Sequence, residues 1–215
     1  NKVVIITGGL GFLGKQITST FFKEGSKVIV LDNKKKIKSN KFDHYSCDIC
    51  DQISLNDAYK DIVKRYKSID VLINNAASNH DINKDIKSFE KFNLKIWDKD
   101  ILVGLTGAFL CTQKFGSKMS KQKKGGNIIN ISSDLGIIAP DQRLYSHTPF
   151  KKPVSYSVVK SGIIGLTKYT ASYWAKKKVR CNALAPGGIF NHQDKMFLSK
   201  IKKLIPMNRM ANVNE

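Results

Sequence analysis

Short runs rich in valine and isoleucine alternate along the chain with longer segments whose apolar residues recur at helical spacing. The runs predict strands near residues 3–7, 27–31, 42–47, 70–73, 126–131 and 178–184. The periodic segments predict helices near 12–24, 54–66, 97–121, 154–176 and 194–204. Strands that are apolar on both faces are typical of a parallel sheet covered by helices on both sides. We therefore expect a doubly wound α/β fold, formed as a single domain by residues 1–215.

The net charge of the chain is strongly positive, but lysine carries most of it. The formal value is +20, and only four of the 37 basic residues are arginine. Aromatic residues do not alternate with the lysine runs, as they would in a platform on which bases stack. This composition favours a solvated, lysine-rich surface over binding to a nucleic acid. No uninterrupted apolar run reaches the roughly 18 residues of a membrane helix, so we expect no membrane partner.

One closely spaced pair occurs among the four cysteines. Cys47 and Cys50 have the C-x-x-C spacing of a redox or zinc site. A tetrahedral zinc site needs a second pair of cysteine or histidine ligands, and none occurs at suitable spacing. The sequence therefore favours packing of these thiols at a strand end over metal binding. Reduced thiols are typical of a cytoplasmic protein.

A glycine-rich turn follows the first predicted strand. The segment "VVIITGGLGFLG" places Gly8, Gly11 and Gly14 between that strand and the first helix, where Phe12 and Leu13 begin the helix. Glycine suits a tight turn whose backbone must approach a pyrophosphate closely. The helix N-terminus offers free N–H groups and a positive dipole end to the anion. The motif predicts that these five residues bind a dinucleotide, as in a Rossmann fold.

An acid ends the second predicted strand. Asp32 is placed to accept hydrogen bonds from the adenosine ribose and to repel a 2′-phosphate, which favours NAD over NADP. The lysines that follow, Lys34, Lys35 and Lys36, leave NADP open, and a turn or cap role for Asp32 is the alternative. The ends of the third and fourth strands supply further candidate cofactor contacts: Asp48, Ile49, Asn74, Asn75 and Ala76.

A tyrosine and a lysine lie four residues apart in "SYSVVKSG", within a predicted helix. Tyr156 and Lys160 therefore share one face of that helix. A nearby ammonium lowers the pKa of a phenol from its usual value near ~10, which makes proton transfer accessible at neutral pH. Ser132 and Ser133 end the fifth strand at the same edge of the sheet. A solvated surface pair is the alternative for Tyr156 and Lys160, but the order of these features along one α/β chain favours an active site.

Seven short motifs occur in a fixed order along the chain: "TGGLGFLG", "LD" at 31–32, "CDI", "NNAA", "NISS", "YSVVK" and "NALAPGG". In these motifs the chain resembles the short-chain dehydrogenase/reductase family over essentially its whole length. The resemblance implies that Tyr156 is the general acid/base and that Lys160 lowers its pKa and binds the nicotinamide ribose. It implies that Ser133 orients the substrate oxygen. It also implies a wall of the nicotinamide pocket, formed by Pro186, Gly187 and Ile189.

Three features depart from the family pattern. Gly104, in "VGLTG", stands where the family usually has an asparagine that supports the proton relay. Ser133 and Tyr156 are separated by 23 residues, more than is usual in the family, which predicts an additional loop at about 135–153. The chain also ends before the family's usual final strand and subunit-contact helix, so we expect both to be missing.

The additional loop concentrates polar side chains next to the reacting residues, where loops often set specificity. Asp134, Arg143 and Tyr145 are the candidate substrate contacts, and a solvated surface loop is the alternative. Within the family, the chain is most similar to a subgroup encoded with bacterial surface-sugar and flagellin-glycosylation genes. This resemblance implies an NAD(P)-dependent oxidoreductase that interconverts a secondary alcohol and a ketone on a sugar derivative, as a homo-oligomer (dimer or tetramer). The alternative is a non-catalytic nucleotide-binding member that acts as a regulator or assembly partner.

Overall fold

The computed structural model describes residues 1–35, 37–78 and 88–215, which form one parallel sheet of six strands. The strands are β1 (Val3–Thr7), β2 (Lys27–Asp32), β3 (Asp43–Ser46), β4 (Val71–Asn74), β5 (Gly126–Ile131) and β6 (Val179–Leu184). Their order across the sheet is β3-β2-β1-β4-β5-β6, and all pairings are parallel. The six predicted strands are confirmed, with ends displaced by no more than one residue.

The helices are α1 (Phe12–Lys23), α2 (Gln52–Arg65), α3, α4 (Val154–Tyr173) and α5 (Lys195–Ile201). α3 begins as Leu94–Ile101, widens into π-helical turns at Leu102–Thr106 and Thr112–Gly116, and ends with Ser117–Ser120. The five predicted helices are present, but α4 and α5 end earlier than predicted and continue as 3-10 turns, Ala175–Lys177 and Lys202–Leu204. In the described part of the chain, no helix is both long and apolar enough to cross a membrane.

The side chains of β1 alternate between two buried faces of the sheet. Val4 and Ile6 pack on the face that α1 covers, whereas Ile5 packs with Leu55 of α2 and Phe115 of α3 on the other. All five side chains are fully buried. Burial of an apolar side chain of this size stabilises a fold by about 1.5–3 kcal/mol. Helices on both faces confirm the doubly wound fold, and they explain why the strands lack a polar face.

The direction of strand addition reverses between β1 and β4, at the middle of the sheet. In open α/β sheets this reversal leaves a crevice beyond the carboxyl ends of the strands. Thr7, Asp32, Asn74 and Ile131 end β1, β2, β4 and β5 at this edge. The topology therefore gathers the predicted cofactor and reacting residues on one side of the molecule.

Candidate active site

The turn between β1 and α1 is too tight for larger residues at its glycines. Gly8 has a φ of 63° and donates its N–H to the carbonyl oxygen of Leu31 at 2.8 Å. A Cβ on Gly14 would lie 2.1 Å from the carbonyl oxygen of Gly8. α1 begins at Phe12, and its cap residue, Gly11, offers no side chain to bond the first helical N–H groups. The turn therefore provides space and free backbone donors, which fit the pyrophosphate of a dinucleotide.

Asp32 fixes the glycine turn to the end of β2. One carboxylate oxygen accepts the Leu10 N–H at 3.0 Å, and the other accepts the Lys34 N–H at 3.2 Å. The Lys34 ammonium lies 3.5 Å from the carbonyl oxygen of Leu10, so a basic group stands beside this acid. Lys36 lies outside the described residues. Asp32 thus has a turn-anchoring role at the same strand end where the ribose role is predicted.

Thr7 joins the glycine turn to the loop after β4. Its hydroxyl accepts the N–H groups of Asn75 at 3.0 Å and Ala76 at 3.1 Å. The Asn75 amide donates to the carbonyl oxygens of Thr7 at 3.0 Å and Gly8 at 3.1 Å. The structure therefore brings Asn75 and Ala76 against the nucleotide turn. Sequence reasoning missed Thr7, and its position as the last residue of a buried strand is the only signal that could have found it.

Asn74 has a structural role instead of the predicted role as a cofactor wall. It is the last residue of β4, is 4% exposed, and donates to Thr112 of α3 at 2.9 Å and to Asn130 of β5 at 2.8 Å. Asn130 in turn donates to Thr167 of α4 at 2.8 Å. The prediction is wrong because β4 extends one residue further than the sequence indicates, which turns this side chain into the helix layer.

The remaining residues that are predicted to bind the nucleotide differ in how far their side chains are exposed. Phe12 and Asp48 are exposed, and Asp48 accepts the Cys50 N–H at 2.9 Å. Leu13 packs on the core beneath α1, and Ile49 is buried. The side chains of Leu13 and Ile49 therefore contribute to the core. Those of Phe12 and Asp48 are accessible to a ligand at the edge where the strands have their carboxyl ends.

The C-x-x-C pair contributes to packing. Cys47 and Cys50 are free thiols next to a third, Cys111, and burial raises the pKa of each. The Cys50 thiol lies 3.4 Å from the carbonyl oxygen of Leu102. A raised pKa disfavours the thiolate, which is the reactive and metal-binding form.

Ser133, Tyr156 and Lys160 converge where β5 ends and α4 begins. The Lys160 ammonium donates to the carbonyl oxygen of Ile131 at 2.8 Å and lies 5.6 Å from the ring centroid of Tyr156. The Ser132 hydroxyl donates to the carbonyl oxygen of Lys160 at 2.8 Å, which locks α4 to the strand end. The Ser133 hydroxyl is close enough to the Tyr156 phenol to lower its pKa. The structure thus brings the three predicted reacting residues together.

A second ammonium at this site belongs to Lys152, which sequence reasoning missed. Its Nζ lies 3.7 Å from the ring centroid of Tyr156. Burial lowers the pKa of Lys152 to about 8, against the attraction of Asp134. Burial, and then repulsion from Lys152, lowers the pKa of Lys160 to about 8. Lys152 and Tyr156 are four residues apart, a spacing that in a helix would place them on one face. Pro153 indicates that the helix begins after Lys152, so the sequence offers no reason to apply this spacing.

The pKa of Tyr156 is raised in this structure, opposite to the expected direction. Burial is the main cause, the Ser133 hydroxyl lowers the value, and the Asp134 carboxylate raises it. The free-energy cost of removing a phenolate from water exceeds the stabilisation that the Ser133 hydroxyl provides. The expectation of an acidic phenol is therefore wrong for the free chain, and Tyr156 holds its proton at neutral pH.

Gly104 lies in the first π turn of α3, directly against α4. A Cβ on Gly104 would lie 2.6 Å from a methyl carbon of Val159. Val159 is 6% exposed and packs with Ile163 and Ala108 between the two helices. The space that an asparagine side chain needs here is therefore filled by Val159, and the family's usual relay residue has no counterpart at this place.

Asp100 of α3 is a buried acid that holds the start of α4. It accepts hydrogen bonds from the hydroxyls of Ser155 and Ser78 and is 8% exposed. Ser155 immediately precedes Tyr156, so these bonds fix the first turn of the helix that carries the phenol. Sequence reasoning missed Asp100. Its signal is an acid four residues before Gly104, on a helix face that turns toward the core.

The additional loop docks on α5 and brings Tyr145 to the reacting residues. The ring centroids of Tyr145 and Phe197 are 5.4 Å apart, and Nε2 of His147 lies 2.9 Å from the Asp194 carboxylate. Burial, and then the neighbouring Tyr156, raises the pKa of Tyr145 to about 12. Tyr145 is therefore placed where a substrate contact is predicted.

Arg143 points into solvent, away from the reacting residues. Its side chain is 88% exposed and its guanidinium pairs with Asp141 at 2.8 Å. Asp141 also caps the 3-10 turn at Gln142–Tyr145, which holds the two residues side by side. The predicted substrate contact of Arg143 is not supported by this placement. Asp134, by contrast, accepts the Ser133 hydroxyl at 2.7 Å.

The segment after β6 lies next to Asp134. The carbonyl oxygen of Pro186 accepts the Asp134 N–H at 3.1 Å, and a Cβ on Gly187 would lie 3.6 Å from the Asp134 carboxylate. Ile189 forms a parallel β-bridge with Ala211, which holds this segment in place. The predicted nicotinamide wall thus adjoins the reacting residues.

A glycine turn at the switch point of a parallel sheet, with a phenol and two ammonium groups at the same edge, defines the class of dinucleotide-dependent oxidoreductases. Within that class the chain belongs to the short chain dehydrogenase family, whose sequence profile matches residues 2–197. Enzymes of this family use NAD(P).

Three known proteins illustrate the relationship. The chain is 31% identical to a 3-oxoacyl-(acyl-carrier-protein) reductase of Thermotoga maritima, over 100% of this chain and 86% of the relative. It is 29% identical to post-translational flagellin modification protein A of Campylobacter coli, over 100% of this chain and 88% of the relative. The crystal structure of a short chain dehydrogenase from Leptospira borgpetersenii with bound NAD+ matches with a TM-score of 0.87 and 30% identity, over 99% of this chain and 81% of that chain.

Proposed function

We propose that the chain catalyses the NAD(P)-dependent interconversion of a secondary alcohol and a ketone on a sugar or sugar derivative. The pathway we infer is the biosynthesis of a bacterial surface polysaccharide or flagellin glycan. The observation that carries the proposal is the convergence of Ser133, Tyr156 and Lys160 at the sheet edge that also bears the glycine turn. A phenol between a hydroxyl and ammonium groups is equipped to move a proton to or from a substrate oxygen.

The three residues divide the proton transfer between them. Ser133 binds the substrate oxygen, Tyr156 gives a proton to it or takes one from it, and Lys160 stabilises the phenolate while holding the nicotinamide ribose. Bound NAD(P) supplies or accepts the hydride. Because burial raises the pKa of Tyr156, the phenol is protonated at neutral pH. This form suits the reduction of a ketone, in which Tyr156 is the proton donor.

The position of Asp32 supports NAD as the cofactor, although Lys34 stands close by. Replacing Asp32 by alanine should raise the ratio of kcat/KM for NADP to that for NAD by about tenfold, equivalent to ~1.4 kcal/mol. The reason is that the variant loses the charge that repels a 2′-phosphate. Steady-state kinetics with both cofactors measure this ratio.

Because Asp32 also anchors Leu10, the test includes Asp32→Asn, which keeps an acceptor for that N–H and removes only the charge. Asp57→Asn removes a charge from an exposed position in α2 and serves as the matched control. A ratio that stays at the wild-type value in both Asp32 variants would contradict the ribose role.

The substrate class is inferred from the loop and from one relative. Tyr145 and Asp134 place hydrogen-bonding groups beside the reacting residues, which suits a hydroxylated substrate. The similarity to a flagellin modification protein points the same way. The similarity to a 3-oxoacyl-(acyl-carrier-protein) reductase makes an acyl thioester the competing substrate class.

A two-arm substrate panel separates these classes. The purified chain is mixed with NADH or NADPH and either keto sugars, free and nucleotide-linked, or acetoacetyl thioesters, and oxidation of the cofactor is followed by absorbance. We expect a higher kcat/KM for at least one keto sugar than for the thioesters. The reverse order would contradict the sugar proposal and leave the oxidoreductase class intact.

A non-catalytic role is the second candidate, and Gly104 is the observation in its favour. Val159 fills the space of the family's relay asparagine, so the proton path must run without that side chain. Calorimetric binding of NAD(P) together with no turnover in either arm of the panel would favour this role. Turnover that Tyr156→Phe abolishes would exclude it.

The predicted homo-oligomer and cytoplasmic location stay predictions. Exposed apolar side chains on α3 and α4, among them Leu102, Phe109 and Val158, are what a second copy of the chain would cover. A monomeric mass by light scattering at micromolar concentration would contradict the oligomer. The four free cysteines suit a reducing compartment.

A further inference from the structure

Lys152 holds its ammonium over the face of the Tyr156 ring, 3.7 Å from the ring centroid. This position is closer than that of Lys160, whose ammonium lies 5.6 Å from the same centroid. Lys160 donates to the carbonyl oxygen of Ile131, whereas the Lys152 ammonium donates no hydrogen bond to any described residue. Of the two cations at the site, Lys152 is therefore the one whose ammonium lies on the phenol ring, with the Asp134 carboxylate as a further attractive charge.

The backbone around Lys152 is fixed, so the contact does not depend on a loose surface loop. Gln142 accepts the Lys152 N–H at 3.1 Å and donates to its carbonyl oxygen at 3.4 Å. The next residue, Pro153, is buried and occupies the N-cap position of α4. The additional loop therefore closes on itself through Gln142 and delivers Lys152 to the start of the helix that carries Tyr156.

A cation over an aromatic face is attracted by the ring's negative potential, and burial strengthens the attraction by excluding water. A phenolate spreads part of its negative charge into its ring. The same cation therefore attracts the ionised form of a tyrosine more strongly than the neutral form. We propose that Lys152 is a positioning residue for proton transfer, whose ammonium stabilises the phenolate of Tyr156 through the face of its ring. This inference rests on the proposed role of Tyr156 as the acid/base.

The other charged and polar groups around the phenol act with or against Lys152. Ser133 favours ionisation and Asp134, beyond the end of β5, opposes it. Tyr145, from the additional loop, is a neutral phenol at this site because burial raises its pKa to about 12. Lys160, on α4 itself, loses some of its own charge to the repulsion of Lys152. The loop thus places an ammonium 3.7 Å from the centroid of the Tyr156 ring, opposite in sign to the charge of Asp134.

The proposal is tested by titrating the phenol directly. The chain is labelled with a polyfluorinated tyrosine, whose phenol ionises at a pH where Lys152, with its pKa of about 8, still carries its charge. The fluorine signals are followed by NMR against pH. The signal that disappears in Tyr156→Phe identifies Tyr156 among the seven tyrosines. Lys152→Met should raise the pKa of this signal by about one unit. We expect no larger rise in the pKa of Tyr156, because Lys160 regains positive charge when the repulsion from Lys152 is removed.

Two matched variants separate the charge from general disruption. Lys151→Met removes the same charge from the preceding residue, and Lys152→Arg keeps a cation at the ring face. Both should leave the pKa of Tyr156 within about 0.3 units of the wild-type value. If Lys152→Met does not fold, Lys152→Gln replaces it, with the same expected shift.

An unchanged pKa in the folded Lys152→Met or Lys152→Gln variant would overturn the proposal, as would an equal rise in Lys151→Met. The titration needs neither substrate nor cofactor, so it can fail while the chain remains an active oxidoreductase. It can also succeed if the chain proves to have no turnover.

Discussion

Replacing Tyr156 by phenylalanine should lower kcat by at least ~1,000-fold, which is within the range that a positioned general acid or base contributes. The phenol is held among Ser133, Lys152 and Lys160. Phenylalanine keeps the ring on which Lys152 lies, so the variant should fold and bind NAD(P) as the wild type does. Steady-state turnover and calorimetric cofactor titration measure the two effects separately.

Tyr45→Phe is the matched control. It also removes one phenol hydroxyl, but this hydroxyl donates to Asp61 at 2.6 Å, between β3 and α2 at the far side of the sheet. We expect wild-type turnover from this variant. Full turnover by Tyr156→Phe would show that the proton takes another route, and the proposed mechanism would then be wrong.

Replacing Gly14 by alanine should abolish measurable NAD(P) binding. The new Cβ would lie 2.1 Å from the carbonyl oxygen of Gly8 and 2.8 Å from the Cα of Gly9. The backbone of Gly8 is held by hydrogen bonds to Leu31 and to Asn75, and the carbonyl oxygen of Gly9 accepts the Thr18 hydroxyl at 3.3 Å. The turn must open to accommodate the methyl group, which costs about 1–3 kcal/mol of stability and removes the pyrophosphate cradle. Fluorescence titration with NADH and thermal unfolding measure the two consequences.

Gly165→Ala provides the comparison, because a Cβ at this exposed position in α4 meets nothing within 4 Å. Alanine in a helix interior is more favourable than glycine by up to ~1 kcal/mol. This variant should therefore bind NAD(P) normally and unfold at the same temperature as the wild type or a higher one. If Gly14→Ala bound NADH with wild-type affinity, the glycine turn would not be the pyrophosphate site.

The close packing at Gly104 and the cation at Tyr156 suggest how the site works without the family's relay asparagine. Val159 takes the space between α3 and α4, and Asp100 fixes the start of α4 through Ser155. Tyr156 is thereby held by packing and by its neighbours, and burial, the Ser133 hydroxyl and the Asp134 carboxylate shift its pKa.

The sequence by itself determined the six strands, the parallel doubly wound sheet and the grouping of Ser133, Tyr156 and Lys160. These features depend on local properties: valine and isoleucine runs, glycines at a turn, and residues four apart on one helix. The sheet edge on which they meet follows from parallel connectivity alone. For this reason the position of the glycine turn relative to Tyr156 could be predicted without coordinates.

Only the tertiary structure decided which polar side chains face the site. It turned Asn74 into the helix layer, left Arg143 in solvent with Asp141, and brought Lys152 onto the Tyr156 ring. It also reversed the expected shift in the pKa of Tyr156, because the loss of hydration depends on how completely the fold encloses the phenol. Such outcomes depend on contacts between residues distant in sequence and on the path of an irregular loop. Neither leaves a periodic pattern in the chain.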